Sequence, residues 1–138
     1  MKIQSLDQET SNQTVQEWLD TLGGLFADVS TWIGEQPGWS VQSSTKEIVE
    51  EALGSYSAPV LTINADNGRL ILEPIARIVF GGTGSVELYA WPTLYRVRLL
   101  RKANIDGWLI LTDSGITLKQ PWNKETFIGL ARDLLGAS

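Results

Sequence analysis

The sequence predicts an α+β domain: a long N-terminal helix, an antiparallel β-meander of about six strands and a C-terminal helix, in a two-layer sandwich with the helices on one face. Three observations carry this expectation. Apolar residues from Val15 to Ile33 recur at i, i+3, i+4 and i+7, which paints one face of a helix. Residues 69–101 alternate apolar and polar through three consecutive runs, the period of half-buried strands. Short clusters of Gly, Asn, Asp and Pro separate these runs, so sequence neighbours are expected to pair as hairpins. A length of 138 residues suits a single domain spanning residues 1–138.

The first helix is predicted over residues 10–35. Val15, Trp18, Leu19, Leu22, Leu25, Phe26, Val29, Trp32 and Ile33 line its apolar face. Thr14 with Glu17 offers a capping box, and Thr10 or Ser11 an earlier start. Gly23-Gly24 inside the pattern suggests a kink or a close approach. The stripe has coiled-coil spacing over fewer than four heptads; packing on its own sheet is expected, with a homodimer as the alternative.

Gln36-Pro37-Gly38 ends the helix, and Trp39 and Val41 alternate with polar neighbours as a first strand. Residues 44–53 carry two signals. Ser44 with Glu47, and Ile48, Val49, Ala52 and Leu53 before Gly54, suit a short helix; the same residues also extend the strand, which is the reading preferred here, running into an irregular or helical piece. Residues 59–63 form the next strand, and Asn67-Gly68 turns it back so that Ile63 faces Leu72.

In the central run the even residues Leu70, Leu72, Pro74, Ala76, Ile78 and Phe80 are apolar, while Arg69, Glu73 and Arg77 stand among the odd ones. Pro74 implies an edge position, bulge or bend. A two-residue loop at Pro92-Thr93 sets Trp91 against Leu94, Tyr89 against Arg96, Leu88 against Val97 and Glu87 against Arg98. A three-residue loop at Gly81-Gly82-Thr83 sets Phe80 against Gly84, Ile78 against Val86 and Arg77 against Glu87. Since a one-residue slip would turn each apolar side chain outward, burial selects this phase. Glu87 is then expected between Arg77 and Arg98 on three adjacent strands.

Asn104-Ile105-Asp106-Gly107 leads into residues 108–112, with Trp108 opposite Arg101 in cation–π contact. Asp113-Ser114-Gly115 then leads to residues 116–118, with Ile110 facing Leu118 and Thr112 facing Ile116. In the last helix Asn123 caps the start and Trp122 meets Phe127 as a hydrophobic staple. Phe127, Leu130, Ala131, Leu134 and Leu135 line its inner face, and Gly136 ends it.

Composition bounds the function. There is no histidine and no cysteine, so the commonest general base, the commonest zinc ligand and thiolate chemistry are all missing. No apolar run is long enough to span a bilayer, and the first residues lack a signal peptide's apolar core; a cytoplasmic protein is expected. The formal charge of −5 is uneven. Residues 1–68 hold two Lys against ten acids, whereas residues 69–102 hold six basic residues against Glu73 and Glu87. The two halves either neutralise each other or leave a basic patch for an anionic ligand. Nucleic acid is disfavoured by a pI near 4.6.

The candidate site is therefore the odd face of the central sheet: Arg77, Glu87, Tyr89, Trp91, Arg96 and Arg98. Guanidiniums beside aromatic rings hold carboxylates or phosphates by paired hydrogen bonds and stacking. Gly81-Gly82-Thr83-Gly84 lacks the spacing of a phosphate loop and joins two strands. The expected function is a small non-enzymatic binding or interaction domain for a protein or small anionic ligand, without a cofactor. The alternative is a metal-dependent hydrolase or nuclease-like enzyme drawing on carboxylates such as Glu47, Glu50, Glu51, Asp66, Glu73 and Glu87. That alternative lacks a lysine at the right offset and any carboxylate pair fixed by local spacing.

Overall fold

A computed structural model describes residues 2–93, 95–103, 107–112, 117–118 and 120–136. Helix α1 runs Lys2–Gly34, followed by β1 Ser40–Glu50, β2 Gly54–Ala65, β3 Gly68–Ala76, β4 Gly84–Trp91, β5 Arg96–Arg101, β6 Leu109–Leu111, the two-residue β7 Thr117–Leu118, and α2 Lys124–Gly136. Among the described residues the strands form one antiparallel sheet in the order of the chain, β1 to β7. The α+β meander with a helix at each end is thus as the sequence implies.

Both helices pack on one face. Trp18, Leu22, Val29 and Ile33 from α1 and Phe127, Ala131 and Leu134 from α2 join one core with Ile63, Leu70, Leu72, Val86, Leu88, Val97, Leu99 and Ile110. α1 starts well before residue 10 and passes through Gly23-Gly24 without interruption; both glycines look into open space. Thr14 does not cap. Its hydroxyl donates back to the Thr10 carbonyl at 2.9 Å, as a mid-helix threonine does. α2 begins as expected, with the Thr126 N–H donating to Asn123 Oδ1 at 2.9 Å. The Trp122 and Phe127 rings meet edge-on at 5.6 Å.

Residues 44–50 continue β1, which pairs with β2 without a break from Ser40↔Asn64 to Glu50↔Gly54. Strand wins over helix here because β-branched Thr45, Ile48 and Val49 are matched residue for residue by the strand beyond the turn. β2 in turn begins at Gly54 rather than Pro59. Pairing of β2 with β3 covers only Leu61↔Leu72 to Ala65↔Gly68. Pro59 therefore lies where β2 has β1 alone as a neighbour, the position a missing N–H tolerates. Burial also changes phase there: Tyr56, Ala58 and Val60 are buried on one parity, Leu61 and Ile63 on the other. Beyond Leu61 the β1–β2 hairpin leaves β3, and its tip reaches α1, where the Ser11 hydroxyl donates to the Ala52 carbonyl.

One side chain bridges the departing strands. Glu50 Oε2 accepts from the Arg77 N–H at 2.9 Å and from the Tyr56 hydroxyl, and Oε1 accepts from the Ile78 N–H at 2.9 Å. A carboxylate thus takes up backbone donors at the point where the ladder stops supplying acceptors.

Two predicted registers shift by an even number of residues. Ile63 faces Leu70, not Leu72, because Asp66-Asn67 forms the turn. β3 and β4 pair as Leu72↔Leu88, Glu73↔Glu87 and Pro74↔Val86, with a bulge between Pro74 and Ala76. Residues 77–83 form a longer connection, held by the Val79↔Gly82 bridge and by the Thr83 N–H donating to the Arg101 carbonyl at 2.6 Å. Arg77 is consequently not opposite Glu87. Alternation fixes which face a residue takes, but steps of two leave that face unchanged. The β4–β5 register (Glu87↔Arg98, Leu88↔Val97, Tyr89↔Arg96) and the Ile110↔Leu118 pairing agree with expectation. The pairings of Trp91 with Leu94 and Thr112 with Ile116, the turn at Asn104, Ile105 and Asp106, and the one at Asp113-Ser114-Gly115 lie outside the described residues.

Gly82 and Gly84 allow close approaches that a side chain would block. A Cβ on Gly82 would stand 2.6 Å from the Arg101 carbonyl oxygen and 2.7 Å from Leu100, and one on Gly84 would enter the Trp18 ring. Trp18 in turn meets Trp108 at 6.3 Å between centroids. Trp108 is buried, and no cation–π contact with Arg101 is seen among the described residues.

Candidate functional site

On the face away from the helices, four strands contribute to one polar–aromatic chain of contacts. β1 supplies Lys46, β3 Glu73, β4 Glu87 and Tyr89, and β5 Arg96. Lys46 Nζ stands 3.2 Å from Glu73 Oε2. The Tyr89 hydroxyl donates to Glu73 Oε1 at 3.1 Å. The Arg96 guanidinium carbon lies 4.1 Å from the Tyr89 ring centroid, and its Nη1 is 3.4 Å from Glu87 Oε1.

The pairing pattern explains why these residues need one another. Glu73 and Glu87 are directly opposite on neighbouring strands, where like charges repel. Each is matched by its own cation, Lys46 for one and Arg96 for the other. Tyr89, buried at 8% exposure, sits between them, with Arg96 over its ring in cation–π geometry. Burial raises the Tyr89 hydroxyl above the ordinary value of 10.0, and the Glu73 carboxylate adds to the effect.

Of the six residues singled out from sequence, the structure brings Glu87, Tyr89 and Arg96 together and places Arg98 opposite Glu87. Arg98 is exposed. Trp91, at the end of β4 and opposite Arg69, is 59% exposed. Arg77 is separate. It lines a cavity beside α1 with Trp18, Thr21 and Arg101, so the predicted Arg77–Glu87–Arg98 ladder is not formed. Lys46 and Glu73 belong to the network although sequence reasoning did not select them. Glu73 shares the odd parity of Glu87, which was the available signal; Lys46 was hidden by the ambiguity of residues 44–53.

Among the described residues no three acidic side chains converge as a metal site would require, and no helix is long and apolar enough to cross a membrane. The class these features define is an α+β protein with one sheet face given to its helices and the other to a fixed array of charges and aromatics. Comparison with protein-family models, with curated proteins and with solved structures finds no match.

Proposed function

We propose that this protein is a non-enzymatic binding domain that takes an anionic partner on the outer sheet face, through Trp91 and Arg98 flanking the Tyr89–Arg96 pair. One observation carries the reading: Arg96 and Tyr89 are held in place by Glu87 and Glu73, while Trp91 and Arg98 beside them are exposed. Fixed cationic and aromatic groups lose little freedom on binding, and Trp and Arg dominate contact energies at interfaces. The partner is accordingly a protein segment or small ligand bearing carboxylates or similar anions, and the setting is the cytoplasm. The hydrolase reading has no donor cluster among the described residues to rest on.

The test compares wild type with Trp91→Ala/Arg98→Ala as affinity baits in a lysate, after circular dichroism shows both folded. Proteins retained by wild type and lost by the variant are the expected result. An identical retained set for both baits refutes the outer face as the surface that takes a protein partner.

A further inference from the structure

Arg77, displaced from the outer face, meets a second arginine elsewhere. A cavity of about 440 Å³ between α1 and the end of the sheet has Glu17, Trp18, Asp20, Thr21, Arg77 and Arg101 among its lining residues. That volume is within the range of pockets that enclose small ligands.

Both arginines are anchored by their backbones. The Arg77 N–H donates to Glu50, and the Arg101 carbonyl accepts from both the N–H and the hydroxyl of Thr83. The Arg101 guanidinium donates to the Thr21 hydroxyl. Among the described residues neither guanidinium is in an ion pair, and the half-buried Arg77 side chain makes no hydrogen bond. Two acids share this lining, and neither is in an ion pair with an arginine among the described residues: the Asp20 carboxylate accepts from the Gln16 amide at 2.9 Å, and Glu17 is exposed. A guanidinium with neither an ion pair nor an acceptor keeps all its donors available to an anion entering this space. Guanidiniums present forked donors that match carboxylate and phosphate oxygens.

We propose that this cavity is a binding site for the phosphate or carboxylate group of a small metabolite, with Arg77 and Arg101 as the anion clamp and Trp18 as the apolar wall. Glu17 and Asp20 in the same lining favour a ligand whose other end carries hydroxyl or amino donors. The site is independent of the outer face, so either assignment can fail alone.

Thermal unfolding of the full chain in inorganic phosphate, and separately in acetate, at ionic strength held constant with chloride, tests the assignment. Wild type is expected to gain about 5 °C in Tm at ten times Kd, and the exposed Arg132→Gln, with the same charge change, to gain as much. Arg77→Gln is expected to stay flat in both anions, and without them to match wild-type stability, since among the described residues its guanidinium makes no hydrogen bond or ion pair. Arg101→Gln should also be flat, from a lower starting Tm because its contact with Thr21 is lost. Whichever anion gives the larger wild-type shift names the headgroup. A wild type that responds to neither anion, or an Arg77→Gln variant that responds as wild type does, overturns the proposal.

Discussion

Replacing Glu50 by Ala should release the end of β3 and destabilise the domain through identifiable groups. Its carboxylate accepts from the Tyr56 hydroxyl and from the Arg77 and Ile78 N–H groups. Hydrogen bonds to a charged acceptor contribute about 1.5–3 kcal/mol each where water cannot replace them. Ile78 is 51% exposed, so its amide can be resolvated and contributes little. Tyr56 is 7% exposed and Arg77 is half-buried, which leaves two bonds to count. Their sum, reduced for partial solvent access, is about 2–4 kcal/mol, or roughly 10 °C in Tm for a domain of this size. Tyr56→Phe removes one bond and leaves both amides satisfied, so about 1 kcal/mol is expected. The double variant should lose less than the two single losses combined, because they share the Tyr56–Glu50 contact. Urea unfolding gives the energies, and amide hydrogen exchange gives the location. The Arg77 and Ile78 amides should exchange faster in Glu50→Ala while those of β4 and β5 stay protected. Unchanged exchange at residues 77 and 78, or a Tm within about 2 °C of wild type, would refute the reasoning.

Glycine replacements should have opposite signs at two positions. Gly84→Ala drives a methyl group into Trp18 and should cost about 1–3 kcal/mol with a changed near-ultraviolet dichroism, whereas Gly23→Ala, in open space on α1, should stabilise by up to about 1 kcal/mol; the same sign at both would contradict the packing described. Alkaline pH should weaken the fold. Burial, reinforced by Glu50 for Tyr56 and by Glu73 for Tyr89, raises both hydroxyls above 10.0, so the folded chain keeps protons that the unfolded chain releases. Their contribution is complete below pH 10.0 and is lost above it. The urea midpoint should therefore fall between pH 8 and about pH 10.5, and fall less in Tyr56→Phe; a midpoint that holds or rises would contradict the placement of these hydroxyls.

What the sequence revealed depended on whether a signal was periodic. Alternation placed the even residues from Leu70 to Phe80, with Val86, Leu88, Val97 and Leu99, on the core face; Leu70, Leu72, Val86, Leu88, Val97 and Leu99 are buried, whereas Ile78 and Phe80, beyond the end of β3, are exposed. Where a two-residue loop left no freedom, as at Pro92-Thr93, the pairings of Glu87 with Arg98 and Tyr89 with Arg96 followed correctly. Where the loop length was open, phase alone could not choose between offsets differing by two. By alternation Arg77 belongs to a strand, whereas β3 ends at Ala76. Glu87 is already opposite Glu73 ahead of the bulge that Pro74 announced, so Arg77 falls beyond the paired stretch. Glu50 was illegible for a different reason: its role needs two strands to part at Leu61 and Leu72, a tertiary event without a local pattern. Register alone makes Trp108 a partner of Arg101, but the ring of Trp18 occupies its neighbourhood instead.

The meander has a consequence for how the chain reaches this state. Every strand finds its partner immediately before or after it in sequence, so the sheet can assemble by a succession of short loop closures, each entropically cheap. The two terminal helices, docking on the finished surface, bring the two ends of the chain together. Rapid zipping of hairpins followed by a slower engagement of α1 is the order of events such a topology favours.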